Sequence, residues 1–324
     1  MHHRDRAAVC SRGHNTCVEI GLGVDQRLGM SVAQLRDLAG DARTLGYESL
    51  WTNSSLDYDP IALCVAWHAE SALRTGISVV PLARGPAEVI GLAARTAHEL
   101  TAGTFTLGIG AGSVTEEPIA AVRGYIAGIR KVARDVPMIV GALGPQMLRL
   151  AGETADGALL NWATPERIAA SRVRIDEGAA RAGRDPGSVP ISMYIRVCVD
   201  DDADAARRAF GAQVLGYAMG RPGVPNTAGY RGLFAQMGFD AELTELEQRR
   251  DRGAAMSELV AATPDEMLHA VGYYGPAATA PAAFARLSAG LDEAMVRIIT
   301  ARPGLEPVVE TMAALTPALI RSAH

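Results

Sequence analysis

The chain has 324 residues, 48% of them hydrophobic and 21% charged, and a formal net charge of −5. The apolar share suffices for a large core, and the acidic balance argues against a nucleic-acid partner. No apolar run approaches the roughly 18 to 20 residues of a membrane span, so no membrane partner is expected, and four cysteines in a chain of this length do not make a disulfide framework.

Residues 1–17 lack the apolar stretch of a secretory signal and read as a frayed leader. One domain is expected over 18–324, in a cytoplasmic, reduced protein. Cys10, His14 and Cys17 have no partner motif, so no metal is expected there. Of the 31 basic residues only Lys131 is a lysine, which with the many Ala and Gly points to G- and C-rich coding.

From Val18 the pattern alternates between short apolar runs and helical stretches. Strands are predicted at Val18–Val24, Ser49–Thr52, Gly76–Leu82, Phe105–Ala111, Met138–Gly141, Ala158–Asn161, Ile191–Val199 and Glu293–Thr300. Helices are predicted at Ser31–Leu45, Pro60–Ser71, Pro86–Leu100, Pro118–Val132, Pro145–Ala155, Pro165–Ala182, Ala203–Tyr217 and Leu305–Leu315. The strands are continuous apolar runs, as in a parallel sheet buried on both faces. Eight strand–helix units suit an α/β fold, a closed (β/α)8 TIM barrel, with an open doubly wound sheet as the alternative. About 220–290 reads as a helical insertion between strands seven and eight, and Thr263-Pro264-Asp265-Glu266 reads as a capping box within it.

In a barrel, function gathers where strands end. Those ends bring Gly23 and Asp25, Asn53 and Ser54, Ser78 to Pro81, Gly110 to Ser113 with Glu116 beyond, Gly144 and Pro145, Asn161 and Trp162, Arg196, and Arg302. They are rich in glycine and poor in acid/base groups. No histidine ends a strand, and no triad, Walker loop or metal spacing is present. Such a rim suits a cofactor that brings its own chemistry. Gly108-Ile109-Gly110-Ala111-Gly112 lacks the third glycine of a dinucleotide fingerprint, and reads either as room for a ring or phosphate or as a tight turn. Gly144-Pro145 reads either as plain helix punctuation or as an anion site, where the N–H groups of Gln146 and Met147 face a phosphate.

The segments Leu143–Glu166, Leu45–Asn53, Thr75–Gly112 and Ala289–Ile298 resemble the luciferase-like monooxygenase superfamily, in particular its coenzyme F420-dependent branch. The resemblance runs over roughly residues 18–318. It implies a barrel with a deazaflavin across its C-terminal mouth and hydride transfer to or from a small-molecule substrate. It also implies a bulge, often with a non-proline cis peptide, at Ser78, Val79 and Val80 behind the ring. The tail would lie along Gly110, Ala111 and Gly112, with the phosphate held by Gly144, Pro145, Gln146 and Met147. Asn53-Ser54 stands where many relatives carry Asp-His. Glu116 and Asp25 are the proton-donor candidates, and Arg84 or Arg302 would face the anionic tail. FMN in a monooxygenase, and cofactor binding without turnover, are the alternatives. Relatives are often dimers, so a homodimer is compatible.

Overall fold

Residues 18–25, 28–55, 57–112, 114, 116–221 and 225–323 are described by a computed structural model. The leader, with its Cys10–Cys17 pair, and Ser113 lie outside the described residues. In chain order the elements are β1 (Glu19–Val24), α1 (Val32–Thr44), β2 (Ser49–Thr52), α2 (Pro60–Ser71), β3 (Arg74–Pro81), α3 (Ala87–Leu100), β4 (Phe105–Gly110) and α4 (Pro118–Val132). They continue with β5 (Met138–Gly141), α5 (Pro145–Thr154), β6 (Gly157–Asn161), α6 (Pro165–Arg181), β7 (Ile191–Val199), α7 (Ala203–Ala218), α8 (Gly229–Phe234), α9 (Asp240–Asp251) and α10 (Met256–Ala262). The last are α11 (Asp265–Val271), β8 (Gly272–Gly275), α12 (Ala280–Leu287), β9 (Glu293–Ile298), α13 (Glu306–Ala314) and α14 (Pro317–Ser322).

The sequence marks several helix starts chemically. Proline occupies the first turn of α2, α4, α5 and α6, where its missing N–H costs no bond. Asp59 accepts from Ile61 and Ala62 N–H, and Ser31 with Gln34 forms a capping box. The box expected at Thr263 does not form. Pro264 is the cap of α11, and the Thr263 hydroxyl instead donates to the Leu259 carbonyl at 2.9 Å. That carbonyl belongs to the end of α10, which abuts α11 and competes for the same hydroxyl.

Parallel pairing runs β6-β5-β4-β3-β2-β1-β9-β7, and β6 also pairs with β7, so the sheet closes on itself. This is a (β/α)8 barrel in which β9 is the eighth barrel strand. β8 is an addition the apolar pattern does not reveal, because four residues bounded by glycines carry no periodic signal. It takes the edge of β7 at Arg196–Val199, beyond the stretch Ile191–Tyr194 that β6 pairs. The segment between α7 and β9 holds α8 to α11, β8 and α12. A second apolar cluster around Trp162, Phe210, Phe234 and Leu246 forms its core.

The barrel interior is layered. At the N-terminal end, Glu293 is buried and accepts from Ser49 Oγ at 2.5 Å, Trp51 Nε1 at 2.9 Å and Ser192 Oγ at 3.2 Å. Above it Trp51, Ile139, Leu159, Tyr194 and Met295 form an apolar plug. The C-terminal layer is polar and opens into the mouth. Beside the barrel, α5 and α6 pack with backbones nearly touching. A Cβ at Gly152 would stand 2.0 Å from the Ile175 carbonyl oxygen, and one at Gly178 would stand 2.1 Å from that of Arg149. This contact fixes α5, whose N-terminus faces the mouth. Gly178→Ala therefore should destabilise the fold by about 2 kcal/mol in urea unfolding, since overpacking against backbone outweighs the gain of about 1 kcal/mol in helix propensity. Unchanged stability would contradict the close approach.

Candidate functional site

A cavity of about 1390 Å³ opens at the C-terminal mouth of the barrel. One wall is made by a fault in β3. Ile77 pairs with Leu107 but Val80 pairs with Ile109, so β3 spends one residue more than β4. The Ser78–Val79 peptide bond within this bulge is cis. The extra residue breaks the alternation of sides. Ser78 and Val79 both reach the cavity, while Val80 turns outward into the core between barrel and helices.

The Val79 side chain lies across the ends of β4 and β5. A Cβ at Gly110 would be 2.5 Å from it, and Cβ atoms at Gly108 and Gly141 would each be 3.3 Å away. The glycines of "GIGAG" are thus required first by the bulge, and only the surface that Gly110, Ala111 and Gly112 leave is offered to a ligand.

The adjoining wall is the start of α5. Gly144 is its cap, with no side-chain hydrogen bond, and no acidic residue lies in the first turn. The first bond within the helix joins Leu148 N–H to the Gly144 carbonyl at 3.0 Å. The N–H groups of Gln146 and Met147 therefore precede the helical ladder, at the positive end of the helix dipole. Space in front of Gly144 is open, and its backbone is extended (φ −98°), so the fold itself would accept a side chain there.

The opposite wall comes from β7 and β9. On these strands Ser192, Tyr194 and Arg196, and Glu293, Met295 and Arg297, alternate into the barrel. Arg297 Nη2 donates to Asp25 Oδ2 at 2.5 Å and to Asn53 Oδ1 at 3.1 Å, and its guanidinium lies 4.7 Å from the Tyr194 ring centre. Arg297 Nη1, Tyr194 OH and Ser78 Oγ are all buried without a hydrogen-bond partner. Burial pushes the Tyr194 phenol up to about 12 against the pull of the Arg297 charge and the nearby Ser78 hydroxyl, so it stays protonated at neutral pH.

Thirteen of the residues singled out from sequence meet at this cavity: Asn53, Ser54, Ser78, Val79, Gly110, Ala111, Gly112, Gly144, Pro145, Gln146, Met147, Asn161 and Arg196. Val80 faces away for the reason given. Asp25 is held behind the wall as the partner of Arg297. Glu116 is exposed, and its neighbour Glu117 lines the rim instead. Arg84 donates to the Ser55 carbonyl and Arg302 pairs with Asp200 and Glu310, both off the cavity wall. Tyr194, Arg297, Tyr217, Tyr230 and Arg123 line the cavity without having been singled out. For Tyr194 and Arg297 a signal existed, since polar residues at every second place of an apolar strand point into the barrel. Among the described residues no group of three or more His, Cys, Asp or Glu could hold a metal ion, and no helix is long and apolar enough to cross a membrane.

Comparison with known proteins adds three findings. Residues 114–293 match the model of the family described as luciferase-like monooxygenase. The chain is 26% identical over 310 residues to the 5,10-methylenetetrahydromethanopterin reductase of Methanolobus tindarius, with 84% of this chain and 91% of that one covered. Among solved structures, the coenzyme F420-dependent tetrahydromethanopterin reductase of Methanopyrus kandleri superposes with a TM-score of 0.73 at 17% identity, covering 92% of this chain and 98% of that one.

The Asp25–Arg297 pair shapes the cavity from behind, with both residues buried. Asp25→Asn strands the guanidinium charge and should cost about 3 kcal/mol of unfolding free energy in urea. Asp25→Asn with Arg297→Met should recover most of that loss. A single variant as stable as the parent would show the pair to be dispensable.

Proposed function

The chain belongs to the luciferase-like monooxygenase family, and from that membership we propose that it is a coenzyme F420-dependent oxidoreductase, moving a hydride between the deazaflavin and a small organic substrate. The observation that carries this reading is the pairing of the Val79 bulge with the open start of α5 along one side of the cavity. The reductases most useful for comparison support F420 over FMN, since the Methanopyrus protein is F420-dependent by name.

The residues fit such a cofactor. The space before Gly144 would take a phosphate without moving any side chain. Gln146 and Met147 N–H groups would hold it, helped by the dipole of α5. Val79 gives a flat ring an apolar face. The partnerless Ser78 hydroxyl and Arg297 Nη1 are buried donors suited to ring carbonyls. When bound, the deazaflavin supplies the carbon that carries the hydride.

The chain supplies the rest. β3 and β7 lie four strands apart in either direction around the barrel, so a ring against Val79 turns its other face to Tyr194 and Arg196. Substrate would be oriented between them, and orientation of this kind can remove a large part of a barrier. Leu159 and the aromatic residues of the insertion keep water from that space. The proton that accompanies hydride transfer is assigned to the Tyr194 hydroxyl, which is protonated at neutral pH and belongs to a residue that lines the cavity beside Ser78. It takes the role expected of Asp25 or Glu116.

Titration of F420 fluorescence should give a micromolar or tighter Kd for the parent protein. Gly144→Val should weaken it about tenfold or more with an unchanged Tm. Absence of F420 binding by the parent, or tighter binding of FMN under the same conditions, would overturn the cofactor assignment. Normal binding by Gly144→Val would overturn the cradle alone.

A further inference from the structure

Three arginines are buried among the described residues: Arg196, Arg231 and Arg297. Arg231, within the insertion, is matched by two carboxylates, Glu247 and Asp240, each at 2.8 Å. Arg297 has Asp25. Arg196 is 4% exposed, and among the described residues no carboxylate lies within ion-pairing distance of it. It is also the direct cross-strand neighbour of Arg297, which alone pairs with Asp25. Leaving a charge buried and unmatched is costly. Burial and the Arg297 charge lower its pKa to about 10, which still leaves it a cation at neutral pH.

What surrounds Arg196 holds it in place without neutralising it. Nη1 donates to Asn161 Oδ1 at 2.6 Å, and Asn161 Nδ2 donates to Tyr230 OH at 2.7 Å, which fixes the amide. The guanidinium lies 3.9 Å from the Trp162 ring centre and 5.1 Å from that of Tyr217. Trp162 is itself wedged against Phe210, Tyr217 and Phe234. The plane of the group is thereby set, and Arg196 is part of the cavity wall. The α5 start that suits a phosphate is on β5's side of the mouth, whereas Arg196 stands on β7, facing the bulge.

We propose that Arg196 is the receptor for a carboxylate on the substrate, so that the substrate class is small carboxylic acids presenting a flat or apolar body to Tyr217 and Tyr230. Arg196 and Arg297 against Asp25 leave one positive charge, which one carboxylate neutralises and a phosphate dianion would exceed. The planar fork of a guanidinium also matches a carboxylate through paired hydrogen bonds. The proposal rests on the cofactor reading above, in that it takes the β7 side of the cavity as the substrate side.

The test uses benzoate and its neutral isostere benzamide as probes, by calorimetry on the full-length protein with and without F420, alongside Arg196→Met and Arg196→Lys. Benzoate should bind the parent about tenfold or more tightly than benzamide. Arg196→Met should abolish that preference while leaving benzamide and F420 affinities within about twofold, and Arg196→Lys should retain part of it. Equal affinity for acid and amide, absence of benzoate binding, or an Arg196→Met variant that loses F420 but keeps its preference for benzoate would overturn the proposal. The acid–amide comparison on parent protein needs no variant to fold. A parent that fails to bind F420 yet still prefers benzoate would sink the cofactor reading and leave the carboxylate receptor standing.

Discussion

The Val79 side chain, set across the ends of two neighbouring strands, is the contact on which the site depends. It can lie there only because β4 and β5 present glycine at 108, 110 and 141, where any Cβ would stand within 3.3 Å of it or of the β3 backbone. Those glycines in turn strip one side of the mouth of side chains. The result is a smooth wall that runs from the bulge, past Gly110 to Gly112, to the open start of α5. That start is held in position from outside the barrel by the glycine contact between α5 and α6. One local fault in β3 thus shapes the wall that joins the bulge to the start of α5.

Charge is distributed along the barrel axis in a way that reinforces this division. The lower end is closed by a carboxylate, Glu293, which accepts from two serine hydroxyls and an indole N–H. The apolar plug separates it from the mouth, where arginines dominate the β7 and β9 side. The side near β3 and β5 offers backbone N–H groups and apolar surface instead. A cofactor with a flat ring and a phosphate suits the second side, and an acidic substrate suits the first. The insertion adds Tyr230 to the cavity wall, packed edge to face on Tyr217 of α7 with centroids 4.9 Å apart.

Much of this was legible in the sequence. Eight apolar runs separated by helical stretches are a local signal, and all eight form barrel strands. The Gly144-Pro145 start and the Ser78–Val79 bulge could be placed because they lie at strand ends and match a known pattern. What the local pattern did not show was the partner each residue meets. Gly110 and Gly112 of "GIGAG" line the cavity, and they also make room for the side chains of Val79 and Pro81 on β3, which the local sequence does not show. Asp25 looked like a free acid, but its partner Arg297 is supplied by the last barrel strand. Thr263 looked like a cap until the preceding helix claimed its hydroxyl. In each case the residue type was read correctly and the competing partner, distant or on the wrong side of a boundary, decided the role.

The central claim is that the bulge and the start of α5 act together on one cofactor. A crystal structure of the protein soaked with F420 tests it most directly. The account predicts the deazaflavin ring against Val79, with the phosphate within hydrogen-bonding distance of Gln146 and Met147 N–H. A phosphate lodged on Arg196 and Arg297, with Val79 uncovered and the start of α5 bare, would contradict it.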